Sequence, residues 1–494
     1  MMSNRTYKLH PISAIINFLK GLKELIIPIG IIFISSTFNS QQTNEINFWS
    51  DIFPILIITV PVFFYLIFGI IKWWTFVYWF EDDELRSEYG LFVKKKRYIP
   101  FERIQSLNYK EGIFHQIFGL VQVMVETAGS TNGKPEVELT AVTKEAAKQI
   151  EIEMENAKRK ARIKLNEEDS LIFESSSDSE ISSKLIHKMS SKDLLLLATT
   201  SNSIGVVLAG IVALLSQFSE YIPLDLIFEE VSAFIQFGFL VILGMIFIGL
   251  VFAWIASVGL TFLSYYDFKI VEENDRIIVT RGLLEKKKIA IPVKRIQAIK
   301  IVENPIRQLF GLASVSIESA GGGYGEKEKK IILFPLIRKK ELYPLLGELF
   351  PQFDLGLNLT KPPSKAKSFF YRIDFIWVLP LVALLSYFYY PYGLLSILLV
   401  VPVVLLGLWQ YRTAGYAILN NQLTLVYRIF SRVTFLTEKK RIQVIGRRQS
   451  YFQKRNELAS IQATVMSGVM GATAKVAHLK IEDADKVFKW FQSK

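Results

Sequence analysis

Three copies of Arg-Ile-Gln, at Arg103-Ile104-Gln105, Arg295-Ile296-Gln297 and Arg441-Ile442-Gln443, are the most regular chemistry-bearing feature of this sequence. A guanidinium makes bidentate contacts to phosphate or carboxylate, so a recurring arginine is a candidate anion site. The competing role is structural: an ion pair or backbone clamp that fixes a strand. The isoleucine between Arg and Gln must point to the opposite face and into a core, which favours the clamp. Two cationic runs, Lys94-Lys95-Lys96-Arg97 and Lys286-Lys287-Lys288, occupy equivalent turns. Held near a bilayer, each charge would attract anionic headgroups by roughly 1 kcal/mol; a solvated hairpin tip is the alternative.

Chemistry of other kinds finds little support. The chain has no cysteine, and its four histidines, His10, His115, His187 and His478, do not fall at ligand spacing within one element. A metal or haem site is therefore not expected, and no cofactor is. The stretch Ala320-Gly-Gly-Gly-Tyr-Gly-Glu-Lys lacks the Gly-Lys-Ser/Thr ending of a phosphate loop and reads as a hairpin loop. Its third-copy counterpart is apolar: Met466, Val469 and Met470 either dock on a partner or lipid, or bury against their own domain. No elbow motif or nucleotide fingerprint gathers the scattered Ser, Asp and His residues, so a binding or assembly protein is expected rather than an enzyme.

The elements that carry these residues follow from hydropathy. With 494 residues, 51% hydrophobic, 37 Phe and a mean hydropathy of +0.30, the chain belongs in a bilayer. Apolar runs come in pairs: Leu25 to Phe38 with Phe53 to Ile71, Ser203 to Phe218 with Phe234 to Leu263, and Phe375 to Tyr390 with Leu394 to Trp409. Roughly 20 residues cross ~30 Å, so the short runs must borrow flanking turns, the first from the preceding Ile12 to Leu22 stretch. No charged residue or histidine lies inside the apolar cores, which argues against proton-driven pumping by this chain alone. The connectors Asn39 to Asp51, Gln217 to Val231 and Pro391 to Gly393 contain no Lys or Arg, which places both termini and all basic portions in the cytoplasm. The start of the chain shows no cleavable signal pattern. A net charge of +12 beside an anionic leaflet suits lipid headgroups or a membrane partner better than nucleic acid.

The basic portions read as strands. Phe268 to Pro292 alternates β-branched and polar residues around turn signals at Glu273 to Asp275 and Arg281-Gly282, which is a meander. The first copy repeats it 192 residues earlier, matching Gly90 to Gly282, Pro100 to Pro292, Gln116-Ile-Phe-Gly-Leu to Gln308-Leu-Phe-Gly-Leu and Val123-Met-Val-Glu to Val315-Ser-Ile-Glu. The third copy has diverged, with Asn456-Glu457-Leu458 where Phe-Gly-Leu stood. Helical stretches close the copies at Thr143 to Lys160, Arg338 to Phe350 and Glu482 to Lys494. The resulting division is hairpin 1–75, β-domain 76–165, linker 166–192, hairpin 193–264, β-domain 265–352, linker 353–372, hairpin 373–411 and β-domain 412–494.

This pattern of meander, basic turn, Pro-x-x-Arg-Ile-Gln and closing helix behind apolar pairs resembles the bacterial pleckstrin-homology-like (PH-like) membrane proteins of the YdbT type, over nearly the whole chain. The three apolar pairs give six transmembrane helices as α-helical hairpins plus three cytoplasmic α+β domains, and the resemblance implies that each domain is a bent β-sheet closed by a C-terminal helix. It further implies a cytoplasmic-membrane complex with a smaller single-copy PH-like partner, acting in tolerance or export of antimicrobial peptides such as leaderless bacteriocins, with membrane lipid and an amphipathic cationic peptide as the expected ligands. A lipid-handling transporter is the second expectation.

Overall fold

A computed structural model describes residues 6–22, 25, 48–91, 93–127, 135–167, 183–200, 239–320, 331–356, 358–468 and 471–493. In the first copy, β1 (Tyr7–Lys8), β2 (Val77–Glu81), β3 (Glu84–Tyr89) and β4 (Lys95–Pro100) form an antiparallel sheet in that order. Asp82 and Asp83, both with φ near +55°, make the two-residue β2–β3 turn, since Asp tolerates the left-handed region that such hairpins require. Pro100 and a 3-10 turn, Phe101–Arg103, then swing the chain into β5 (Ile104–Glu111), followed by β6 (Leu120–Thr127), β7 (Val137–Thr143) and the closing helix Lys144–Glu167. Leu85, Ile99, Ile104, Val123, Leu139, Ile150 and Met154 bury one core among the sheets and this helix.

Sheets are shared between copies. A seven-stranded sheet runs β7-β6-β5-β11-β10-β9-β8, where β8 is Lys184–Lys188, β9 Lys269–Glu273, β10 Arg276–Arg281 and β11 Lys286–Pro292. The first copy's second half thus pairs with the second copy's meander. A six-stranded sheet repeats the arrangement as β14-β13-β12-β17-β16-β15, with β12 Ile296–Glu303, β13 Leu312–Ser319, β14 Ile331–Arg338, β15 Gly415–Leu419, β16 Gln422–Arg428 and β17 Arg432–Glu438. The remaining strands, β18 (Ile442–Arg448), β19 (Leu458–Val465) and β20 (Ala472–Lys480), form a three-stranded sheet, and helices Lys339–Leu349 and Ile481–Gln492 close copies two and three.

The expectation of six transmembrane helices does not hold. Among the described residues two helices are long and apolar enough to cross, Phe247–Tyr265 and Tyr392–Thr413, or three if the pair Ser364–Arg372 and Phe375–Phe388, bent by 47°, is one span. Thr59–Thr75, the later part of helix Phe48–Thr75, is a shorter apolar stretch. Ile12–Leu22 cannot lengthen the first run, because Ile12 and Ile16 pack on Leu120 and Ala141 of the first β-domain. The runs expected at 26–38 and 203–218 lie outside the described residues.

Candidate functional site

The three arginines of Arg-Ile-Gln end matching 3-10 turns, and the following isoleucines are buried. Arg103 is exposed. Gln297 Nε2 donates to the Arg295 carbonyl at 2.9 Å, and the same carbonyl accepts from the Ala320 N–H at 3.0 Å. Arg441 Nη2 donates to the Lys294 carbonyl at 2.8 Å, with Glu438 3.7 Å from its Nε, so this guanidinium holds the third copy's turn to the second copy's. Gln105 Oε1 is buried and accepts no hydrogen bond among the described residues, while Gln443 is exposed.

Apart from Lys94, which precedes β4, the cationic runs lie on strands rather than in turns. Lys95, Lys96 and Arg97 belong to β4, an edge strand, and Lys94 and Lys96 each stand 3.4 Å from Glu88. Lys286, Lys287 and Lys288 belong to β11, where they face Glu111, Lys110 and Tyr109 of β5. Glu285 pairs with Lys287 at 3.2 Å and Lys110 at 2.9 Å, and Lys288 sits 5.4 Å over the Tyr109 ring. Met466 is exposed; Val469, Met470 and the glycine-rich loop lie outside the described residues.

What occupies the hairpin tips is apolar. Leu91 and Val93 in the first copy, Leu283 and Leu284 in the second, and Ile429 and Phe430 in the third are all exposed. Short helices at Ile113–Ile117, Pro305–Leu309 and Tyr451–Arg455 expose Ile117 and Phe118, Leu309 and Phe310, and Tyr451 and Phe452. Leu309 is 86% exposed, an extreme value for a leucine that no solvent contact rewards.

Each tip is tied to the C-terminal end of the apolar helix preceding its copy. The Gly90 N–H donates to Thr75 Oγ1 at 3.3 Å, closing on helix Phe48–Thr75. The Gly282 and Leu283 N–H groups donate to the Tyr266 and Leu263 carbonyls, each at 2.9 Å. Gln410 Nε2, near the end of Val400–Thr413, donates to the Ile429 carbonyl at 3.0 Å. Neighbouring copies meet beside the second and third tips: Gln116 Nε2 donates to the Leu283 carbonyl at 2.9 Å, and Arg428 Nη2 to Gln308 Oε1 at 2.6 Å. Sequence reasoning missed these residues by treating Phe-Gly-Leu as an alignment mark; the available signal was three apolar tips at one repeat position.

Buried carboxylates underlie both junctions between copies. Glu126 accepts from Ser106 Oγ at 2.9 Å and Asn108 Nδ2 at 3.1 Å. At the same repeat position Glu318 pairs with Lys300 at 2.5 Å, both buried, and also accepts from Ser467 Oγ. In the third copy Thr464 and Gly446 stand at these positions.

A cavity of about 820 Å³ opens in the third copy, lined among others by Phe369, Phe370, Gln410, Arg448, Lys475 and His478. It therefore sits at the C-terminal end of the Tyr392–Thr413 span and the start of helix Phe369–Phe388. His478 packs against Phe369 and Phe370, and its Nδ1 accepts from Gln453 Nε2 at 2.8 Å, which fixes the neutral ring. Burial first, then the Lys475 charge, push its pKa down from 6.5 to about 4. The folded state excludes a proton that the unfolded chain takes up, so this stabilisation is complete above pH 6.5 and lost as pH falls towards 4. Thermal unfolding across that window is expected to show the loss, and His478→Asn to flatten it.

The family model of the bacterial PH domain matches residues 25–158, 193–349 and 375–494. The chain belongs to this family. Each matched range runs from an apolar segment into a closing helix, in agreement with the triplicate of PH-like domains seen here. The chain is also 37% identical over 498 residues to the UPF0699 transmembrane protein YdbT of Bacillus subtilis (strain 168), covering 99% of both proteins. No solved structure matches the chain. Together with its apolar spans, this relation makes it a membrane protein with tandem PH-like domains.

Proposed function

We propose that this protein is a membrane-anchored binding and assembly protein of the bacterial cytoplasmic membrane, with its PH-like domains on the cytoplasmic face. The carrying observation is the repeated rim: three exposed apolar tips, each hydrogen-bonded to the end of an apolar helix. Burying such tips in the headgroup region gains about 25 cal/mol per Å² of apolar surface, and cations following them on the strands suit anionic lipid. Each tip would then anchor its own domain to the membrane. The resemblance supports a complex for antimicrobial-peptide tolerance or export, joined by a smaller PH-like membrane partner, with binding rather than catalysis as the contribution.

The cysteine-free chain permits a direct test. Single cysteines at Val93, Leu284 and Phe430, carrying an environment-sensitive dye in lipid nanodiscs, are expected to emit blue-shifted light and to be quenched by spin-labelled lipid. A dye at Lys486 on the last closing helix is expected to respond to an aqueous quencher instead. Water-like emission from all three tips would refute the rim. A lipid-handling transporter is the second reading, favoured by the cavity with Arg448 and Lys475 at the end of the Tyr392–Thr413 span. Lipid movement in proteoliposomes, lost in Arg448→Ala, would support it.

A further inference from the structure

Both junctions between copies use one register. The strand after Arg-Ile-Gln receives the third meander strand of the next copy, with Lys286 opposite Glu111 at the first junction and Arg432 opposite Glu303 at the second. These four residues occupy two repeat positions, so the pairing was duplicated along with the copies. The receiving strands are covered: Ser106 is 1% and Ala298 0% exposed. The third receiving strand, β18, is the edge of its sheet, and among the described residues no strand pairs with its outer side. Val444, at the position of Ser106 and Ala298, is 58% exposed. An open strand edge of this kind is a template for strand addition. We infer that β18 is a docking edge for an acidic β-strand of a different polypeptide, received in the register of the two internal junctions.

Charge decides the occupant. A second copy of this chain would offer β4, its own open edge, and the shared register would put Lys95 opposite Arg448 and Lys96 opposite Arg447. At the first internal junction Lys287 also stands opposite Lys110, but Glu285 pairs with both. The equivalent residue before β4 is Val93, so the like charges would lie across the ladder without a bridging acid and end-to-end growth of identical chains is disfavoured. The acid that meets the incoming cation at the internal junctions, Glu111 or Glu303, is Gln449 here. Polarity is thus reversed: internally a cationic strand enters opposite an acid, whereas β18 presents cations. Arg447 is engaged by Asp485 of the closing helix, which leaves exposed Arg448 as the group that an incoming carboxylate would meet.

This inference rests on the assembly reading, and one experiment separates the two. The full chain in nanodiscs is followed by amide hydrogen exchange, alone and with a synthetic peptide of residues 431–438 carrying Val433→Glu, which the register places opposite Arg448. A Val433→Lys peptide is the control. The Glu peptide is expected to slow exchange across residues 442–448 at least tenfold and the Lys peptide not at all, with the preference inverted in Arg448→Glu. Absence of protection by the Glu peptide, or equal protection by both, overturns the docking edge. In the chain alone, β5 and β12 are expected to exchange far more slowly than β18; fast exchange there would instead sink the assembly reading.

Discussion

Replacing Lys300 by methionine is expected to lower the chain's unfolding free energy by about 3–5 kcal/mol, because it leaves the buried Glu318 carboxylate without its cation. The two side chains are 2.5 Å apart and nearly excluded from water, and the remaining donor to Glu318 is the neutral Ser467 hydroxyl. Lys300 also lies 5.6 Å over the Phe435 ring, opposite which it pairs in the β12–β17 ladder, so the loss falls on the junction between copies two and three. Chemical denaturation in mild detergent measures it. The first copy supplies a neutral solution at the same position, where Ser106 and Asn108 donate to Glu126. Lys300→Asn combined with Ala298→Ser is therefore expected to lose much less than Lys300→Met. Equal losses would show that charge neutralisation does not govern this site.

Gly282→Ala is expected to cost about 3 kcal/mol, more than a glycine-to-alanine change in an ordinary turn. Gly282 has φ +105°, and an added Cβ would lie 2.1 Å from the Glu285 carbonyl oxygen, a backbone atom that cannot rotate away. Relief requires moving the tip, which breaks the hydrogen bonds of Gly282 and Leu283 to Tyr266 and Leu263. The melting temperature is expected to drop, and a dye at Leu284 to lose its blue-shifted emission with it. Gly90→Ala meets the same obstacle, at 2.2 Å from the Val93 oxygen. The third copy carries Arg428 at this position, in extended strand, with its guanidinium 3.8 Å over Trp409. Arg428→Ala therefore meets no backbone obstacle, and its expected effect is confined to loss of the side chain's hydrogen bonds to the Phe430 carbonyl and Gln308 and of its stacking on Trp409.

Much of the local architecture was legible in the sequence. Period-two alternation from Phe268 to Pro292 and the turn formers Asn274, Asp275 and Gly282 place β9, β10 and β11, since these signals act over a few residues. The repeat offset carried the same reading to β2 through β4. Even the diverged Asn456-Glu457-Leu458 keeps the turn, with Glu457 at φ +56° where Gly119 and Gly311 have +65°. The expected six spans were overturned, because apolar composition does not distinguish Ile12–Leu22, which packs on its own domain, from a helix bound for the bilayer.

By itself, then, the sequence determined three copies, their meanders and closing helices, the turn residues, and a membrane setting, because each is written in spacing and composition within a copy. Only the tertiary structure decided that the lysines of β11 stand on a strand paired with β5 of another copy rather than at a hairpin tip, that Glu126 and Glu318 lie beneath the junctions, and that apolar tips stand against the ends of the apolar helices. Strand edges explain the difference. A strand's two faces are set by its own alternation, but the neighbour that hydrogen-bonds to its edge is set by backbone groups that every residue carries, so partner and register emerge only when distant segments meet.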